Sequence, residues 1–454
     1  MPATLPQQLV AEFTGTFLLI FTIGCNVLAQ TQVWAGVSIA CVLMVAIYAF
    51  GNVSGANFNP AVSFALGLTK TLGGKEEVGM EWKQAGIYMG VQLFAASLAG
   101  MCYYALFGHG FVLSPAKGFG VSSAGICELV YTFMLCFVVL NVAVAKGKKE
   151  NDYYGLAIGF VIVAGAYGAG PISGGCFNPA VAFGVATGSM DLSSFGVFLW
   201  YTLFELIGAT LAAVFFKVVR PWEFAGNNAD AKNPSRSAIL TSEFLGTYIL
   251  VVTVGLNVLA KSPAAAFSIA ASLTCMIYAL GDVSGAHFNP AVTLAISIYG
   301  AGKDVALYML VQIAGAIVAA FTYVYIHFGE SFPLGPGVGH TWTQASIAEV
   351  VFTFVLCLIV LCTAVCKETT NPTMNGLAIG SCVTVGGFAI GSVSGGSLNP
   401  AVSVGIAAAQ ILNGGFFFKA LLYSAFEFAG AAAAAGVVMV THSKAKKDDA
   451  ALPQ

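Results

Sequence analysis

The chain has 454 residues, 58% of them hydrophobic and only 8% charged, with a net charge of −2 and a mean hydropathy of +0.86. A soluble globular domain carries about 25% charged residues, so most of this surface faces something other than water. With no basic patch outside the loops and no acidic tract, the sequence argues against a nucleic-acid partner and an acidic disordered tail.

The first apolar stretch, 8–29, opens with Glu12 and lacks a basic leader and a small-residue cleavage site. It reads as a retained span rather than a signal peptide. A second span follows at 35–51, and then the segment VSGANFNPAV at 53–62. The apolar stretch after its Asn-Pro-Ala, AVSFALGLT at 61–69, is too short for a bilayer crossing of about 20 residues. It is long enough to reach the midplane as a half-helix. Spans at 84–107, 123–145 and 154–171 lead to a second such segment, SGGCFNPAV at 173–181, and a further span at 195–218. The linker RPWEFAGNNADAKNPSRSA, rich in polar residues, Pro and Gly, cannot be a span. Six more spans follow, at 239–260, 264–281, 304–328, 344–366, 375–391 and 415–440. VSGAHFNPAV lies at 283–292 and SGGSLNPAV at 394–402.

Repetition organises the whole chain. AEFTGTFLLIFTIGCNVLA at 11–29 returns as SEFLGTYILVVTVGLNVLA at 242–260, so the two halves match almost throughout. Each half also repeats internally. Glu12 recurs as Glu128, Asn59 as Asn178 and Gln92 as Glu205; in the second half the pairs are Glu243 and Glu349, Asn289 and Asn399, Gln312 and Glu427. The elementary unit is about 115 residues, with three spans and one Asn-Pro-Ala loop, present four times. Three is odd, so consecutive units enter the membrane from opposite faces, giving an inverted repeat with a pathway at the midplane. The expected fold is an all-α membrane protein of two tandem six-helix bundles, each with two re-entrant half-helices. Expected boundaries are 1–222 for the first bundle, 223–237 for a cytosolic linker, 238–442 for the second bundle and 443–454 for a cytosolic tail.

With both termini cytosolic, all of the 18 Lys and Arg except Lys117, Lys261 and Lys419 fall on the cytosolic side, as the positive-inside rule favours. The cytosolic set includes Lys146, Lys148, Lys149, Lys217, Arg220, Lys232, Arg236, Lys444, Lys446 and Lys447. The expected location is thus an integral multi-pass membrane protein, in a plasma or vacuolar-type membrane.

The four loops Asn59-Pro60-Ala61, Asn178-Pro179-Ala180, Asn289-Pro290-Ala291 and Asn399-Pro400-Ala401 each read as a helix start. Asn is a good N-cap, and Pro fits the first helical position, where its missing N–H has no partner anyway. Two half-helices entering from opposite faces meet N-terminus to N-terminus, and their positive dipole ends raise the potential between them. A cation or hydronium meets a barrier there; a neutral molecule does not. The Asn amides offer hydrogen-bond donors to a permeant oxygen and deny it an acceptor for relaying a proton.

These loops, with the AEFTGTFLL opening and the SGANFNPAVSF and AHFNPAVTL segments, closely resemble the aquaporin or major intrinsic protein family. The resemblance covers both halves, about 8–218 and 239–440. It implies a six-span channel per half, and four pores per assembly, which a homodimer of this chain would supply. Many members of the family carry a filter of four residues beside the NPA region, one of them an Arg after the second NPA. The matching positions are Ile39, Ala166, Gly175 and Val181 in the first half, and Ile269, Gly387, Gly396 and Val402 in the second. Val stands twice where the Arg is expected, and the chain's only arginines, Arg220 and Arg236, lie in the linker. Four apolar or side-chainless residues make a wider opening with fewer hydrogen bonds. The expectation is passage of solutes beyond water, with urea, ammonia, glycerol and hydrogen peroxide as candidates; the alternative is a strictly water-selective pore. Val after the second NPA also resembles some tonoplast intrinsic proteins.

Six carboxylates, Glu12, Glu128, Glu205, Glu243, Glu349 and Glu427, sit within apolar spans, where such groups are costly and have partners. As proton-relay groups they would suit a secondary transporter. The resemblance instead implies that Glu12, Glu128, Glu243 and Glu349 support the loops, and assigns no role to Glu205 or Glu427. The 11 Cys read as apolar packers, since even Cys362 and Cys366 lack companion ligands for a metal site. No nucleophile with a neighbouring base, metal cluster or cofactor loop appears, so no enzyme and no cofactor is expected. The expected partners are the lipid bilayer, water and small neutral solutes.

Overall fold

The computed structural model describes residues 3–31, 33–146, 151–226, 228, 230–231, 233–302 and 304–442. Lys148, Lys149, Lys232, Lys444, Lys446, Lys447 and the tail 443–454 lie outside the described residues. The chain divides into two compact units, Met1–Asn228 and Ala229–Gln454.

The described residues of the first unit build α1 (Leu5–Leu28), α2 (Ala35–Ser54), α3 (Pro60–Thr71), α4 (Trp82–Phe107), α5 (Val121–Val139), α6 (Tyr154–Gly168), α7 (Gly170–Ser173), α8 (Pro179–Gly188) and α9 (Ser194–Val219). The second unit follows the same order with α10 (Arg236–Leu259), α11 (Ala265–Ser284), α12 (Pro290–Tyr299), α13 (Val305–Ile326), α14 (Trp342–Val360), α15 (Asn375–Ser394), α16 (Pro400–Ile411) and α17 (Phe418–Thr441). Among the described residues, 11 helices are long and apolar enough to cross a membrane, and every region expected as a span is helical.

Three departures from the sequence reading have local causes. The span expected at 154–171 breaks after Gly168 because Pro171 has no N–H to give the carbonyl four residues earlier. Its counterpart α15 carries Ser392 at that place and runs unbroken to Ser394. The spans expected at 123–145 and 344–366 end in π-helical turns, Leu140–Val144 and Leu361–Val365, at matching places in the two units. In the first, Asn141 accepts a hydrogen bond of 2.6 Å from Arg220 Nε.

That arginine is buried, and the chain after α9 does not leave the unit at once. Trp222, Glu223 and Phe224 are buried too. Lys75 N donates to Glu223 O at 2.9 Å and Ala225 N to Gly73 O at 2.8 Å, lacing this segment to the turn after α3. Packing therefore continues past residue 222, where the bundle was expected to stop, to about 225.

Small residues set the helix spacing. A Cβ on Gly15 of α1 would lie 2.2 Å from the Phe58 ring, and one on Gly246 of α10 would lie 2.1 Å from Phe288. Each glycine gives room to the aromatic ring of a short-helix loop.

Candidate functional site

The four Asn-Pro-Ala segments open the short helices α3, α8, α12 and α16. In each, the Asn is the N-cap in an extended conformation, and its side-chain oxygen accepts from the backbone N–H two residues on. For Asn59 and Ala61 that bond is 2.8 Å. The other end of each amide reaches across the unit. Asn59 Nδ2 donates to the carbonyl of Phe177 at 2.9 Å, and Asn178 Nδ2 returns a bond to the carbonyl of Phe58 at 3.0 Å. In the second unit Asn289 bonds the carbonyl of Leu398 at 2.9 Å, and Asn399 that of Phe288 at 3.0 Å. This exchange locks two helix N-termini face to face, so the positive ends of two helix dipoles converge. Each amide nitrogen keeps one further hydrogen to offer.

The loops ahead of these helices hold non-glycine residues at positive φ: Phe58 at 51°, Phe177 at 52°, Phe288 at 50° and Leu398 at 55°. Such backbone costs on the order of 1–3 kcal/mol per residue and persists only where its surroundings fix it. Buried carboxylates do the fixing. Glu12 accepts from Asn57 N and Phe58 N, both at 2.9 Å, from Ser54 Oγ at 2.7 Å and from Gln92 Nε2 at 2.8 Å. Glu243 repeats the set with Ser284 Oγ, His287 N, Phe288 N and Gln312 Nε2. Glu128 accepts from Cys176 N at 3.0 Å and Phe177 N at 2.7 Å. Glu349 accepts from Ser397 N at 3.1 Å and Leu398 N at 2.9 Å, and from Ser394 Oγ at 2.6 Å.

Glu205 and Glu427, for which the sequence offered no account, also bind the second loop of their unit, from α9 and α17. Asn178 N donates to Glu205 Oε1 at 2.8 Å and Asn399 N to Glu427 Oε1 at 3.0 Å. The symmetry of Glu205 with Gln92 was the one clue in the sequence. The ligand-type atoms of Glu128, Cys176 and Glu205 lie within 4.8 Å of one another. Their bonds serve the loop: both Glu128 oxygens accept backbone N–H groups, and the Cys176 thiol donates to the Asn178 carbonyl at 3.2 Å. The second unit has Ser397 where Cys176 stands, with its hydroxyl on the Asn399 carbonyl at 3.2 Å.

Each unit encloses an elongated, mostly apolar cavity that passes the capping asparagines. In the first unit it holds about 190 Å³, and Ile39, Ala166, Gly175 and Val181 all line it with Asn59 and Asn178. In the second it holds about 450 Å³, and Ile269, Gly387, Gly396 and Val402 line it with Asn289 and Asn399. Neither arginine is on a cavity wall: Arg220 is buried against Asn141, and Arg236 pairs with Asp304 at 3.2 Å. None of the six buried glutamates lines either cavity. His287 lines the second, its Nδ1 3.1 Å from Thr293 Oγ1, where the first unit has Asn57 bonded to Ser63 Oγ at 3.0 Å.

Membrane-length apolar helices around a lumen with facing helix starts define an integral, multi-pass membrane protein. Residues 2–216 and 230–437 both match the major intrinsic protein family, and the chain belongs to it as a tandem pair. It is 32% identical to "Probable aquaporin NIP4-2" of Arabidopsis thaliana over 196 residues, 40% of this chain and 64% of that protein's length. It is also 32% identical to "Aquaporin NIP1-1" of Oryza sativa subsp. japonica over 225 residues, 47% of this chain and 74% of that protein. Among solved structures it is similar to the aquaglyceroporin from Plasmodium falciparum, with 18% identity and a TM-score of 0.39. That match covers 44% of this chain and 94% of that one.

Proposed function

We propose that each unit is a passive channel for water and small neutral solutes that excludes ions and protons, giving two pores per chain. The reciprocal bonds between the Asn59 and Asn178 loops, repeated by Asn289 and Asn399, carry this reading. Two positive helix ends at one point of an apolar lumen oppose any cation, and the asparagines' remaining amide hydrogens give a passing oxygen donors alone. The buried glutamates favour a channel over an ion-coupled transporter, because both oxygens of Glu12, Glu128, Glu243 and Glu349 are taken up by loop N–H groups and all six carboxylates lie off the lumen walls.

Ile39, Ala166, Gly175 and Val181 form the filter of the first pore, and Ile269, Gly387, Gly396 and Val402 that of the second. Without an arginine, these positions admit solutes beyond water; urea, ammonia, glycerol and hydrogen peroxide are the candidates. Both termini lie in the cytosol, and two chains assemble as a homodimer with four pores. Stopped-flow measurements on proteoliposomes test the reading. Water permeability above empty vesicles and swelling in urea or glycerol are expected, with no rise in ionic conductance. Conductance that rises with water flux, or no flux of either kind, would overturn it.

A further inference from the structure

The two cavities differ more than twofold in volume, about 190 Å³ against about 450 Å³, although their walls are built largely from matching positions; Pro333, Gly391 and Ser394 line the second alone. Most substitutions between the walls cancel. Ile23 and Ile162 become the smaller Val254 and Val383, while Val185 becomes the larger Ile406 and Asn57 the larger His287. Where α2 crosses α6, Gly36 faces Ala166; where α11 crosses α15, the methyl changes sides and Ala266 faces Gly387.

Phe177 also becomes the smaller Leu398, and Cys176 becomes Ser397; the one residue of the first wall whose counterpart does not line the second is Tyr167. Its ring lines the first cavity, rests against Gly36 and is only 6% exposed. Its hydroxyl donates to the carbonyl of Val33 at 2.5 Å, tying α6 to the start of α2 and holding the ring in place. A Cβ on Gly36 would lie 3.1 Å from that ring, so the glycine makes room for it. The counterpart in the second unit, Phe388, has no hydroxyl to anchor it, is 60% exposed and lies off the cavity wall.

We infer that the two pores of this chain are not equivalent: the Tyr167 ring restricts the first to water and the smallest solutes, and the second passes larger neutral polyols. This rests on the channel reading above. Pore width is a main determinant of which neutral molecules pass.

The test uses the full chain in proteoliposomes, with Ala166→Trp plugging the first pore or Gly387→Trp the second, and stopped-flow measurement with water, urea, glycerol and erythritol. Each plugged form should keep roughly half the water flux through its intact pore, which also reports folding. Ala166→Trp should keep glycerol and erythritol flux, whereas Gly387→Trp should lose them roughly tenfold. Adding Tyr167→Ala to Gly387→Trp should restore glycerol flux. Equal polyol-to-water ratios in the two plugged forms would overturn the inference while leaving the channel reading intact, and absence of water flux in the unmodified chain would overturn that reading instead. Val181→Trp and Val402→Trp, on α8 and α16, carry the same comparison should a tryptophan on α6 or α15 prevent assembly. If Tyr167→Ala restores nothing, the ring is not the limiting group.

Discussion

The backbone N–H of Asn178 donates to Glu205 Oε1 at 2.8 Å, across a sequence separation of 27 that holds a whole short helix. The same asparagine sends its amide to the Phe58 carbonyl. A single carboxylate thus fixes the backbone of a residue whose side chain binds the facing loop.

Replacing Glu205 by Ala leaves a buried N–H without its acceptor, at a cost of about 1–3 kcal/mol. For a unit of this size that lowers Tm by roughly 2–4 °C per kcal/mol. Glu205→Gln keeps an oxygen for the bond and should stay much closer to the unmodified protein. Thermal unfolding in detergent checks this, and an alanine variant as stable as the parent would refute the assignment. Glu427 should behave alike through Asn399.

Glu12 holds four donors, two of them backbone N–H groups of a loop with Phe58 at positive φ. Glu12→Ala should therefore cost more than Glu205→Ala, since two buried backbone donors lose their acceptor at about 1–3 kcal/mol each. The ordering of the two Tm losses is the readout; the reverse ordering would show that the carboxylate of α1 is the lesser support.

Asn59→Asp keeps the oxygen that caps α3 but puts a second oxygen where Nδ2 now meets the Phe177 carbonyl, and adds a negative charge. The electrostatic barrier to cations falls. Proton or cation leak through proteoliposomes should rise by roughly tenfold or more, the factor that follows from about 1.4 kcal/mol. A variant that stays ion-tight would show that the barrier comes from elsewhere in the lumen.

Gly15→Ala drives a methyl to within 2.2 Å of the Phe58 ring. Overpacking of this kind costs about 1–3 kcal/mol, and here it also displaces the loop that ends in Asn59. Water flux per folded chain should drop together with Tm. Lost stability with unchanged flux would place the strain away from the lumen.

Glu223, beyond the end of α9, has its carboxyl raised above the ordinary value by burial, partly offset by the Arg220 guanidinium and the N–H of Lys146. A raised folded-state value means that the stability it contributes is fully present below the unfolded value of about 4.3. That stability is lost as pH climbs through the folded value. Glu223→Gln removes the titration, so its Tm relative to the parent should rise between pH 4.5 and 7.5. A constant difference across that range would exclude the effect.

The sequence by itself determined the spans, the fourfold repeat, the four helix starts and the lack of any arginine for the lumen. Apolar length, Asn-Pro capping chemistry and identity between repeats are local properties and need no folded partner to be read. Only the tertiary structure decided what Glu205 and Glu427 do, that residues 221–225 pack into the first unit, and that Tyr167 lines one cavity while Phe388 lies off the wall of the other. Each of these depends on groups far apart in the chain, such as Tyr167 and Val33 at a separation of 134 residues. The direction a side chain takes on a helix apolar on every face is set by its neighbours in space, and a uniformly apolar pattern carries no mark of it.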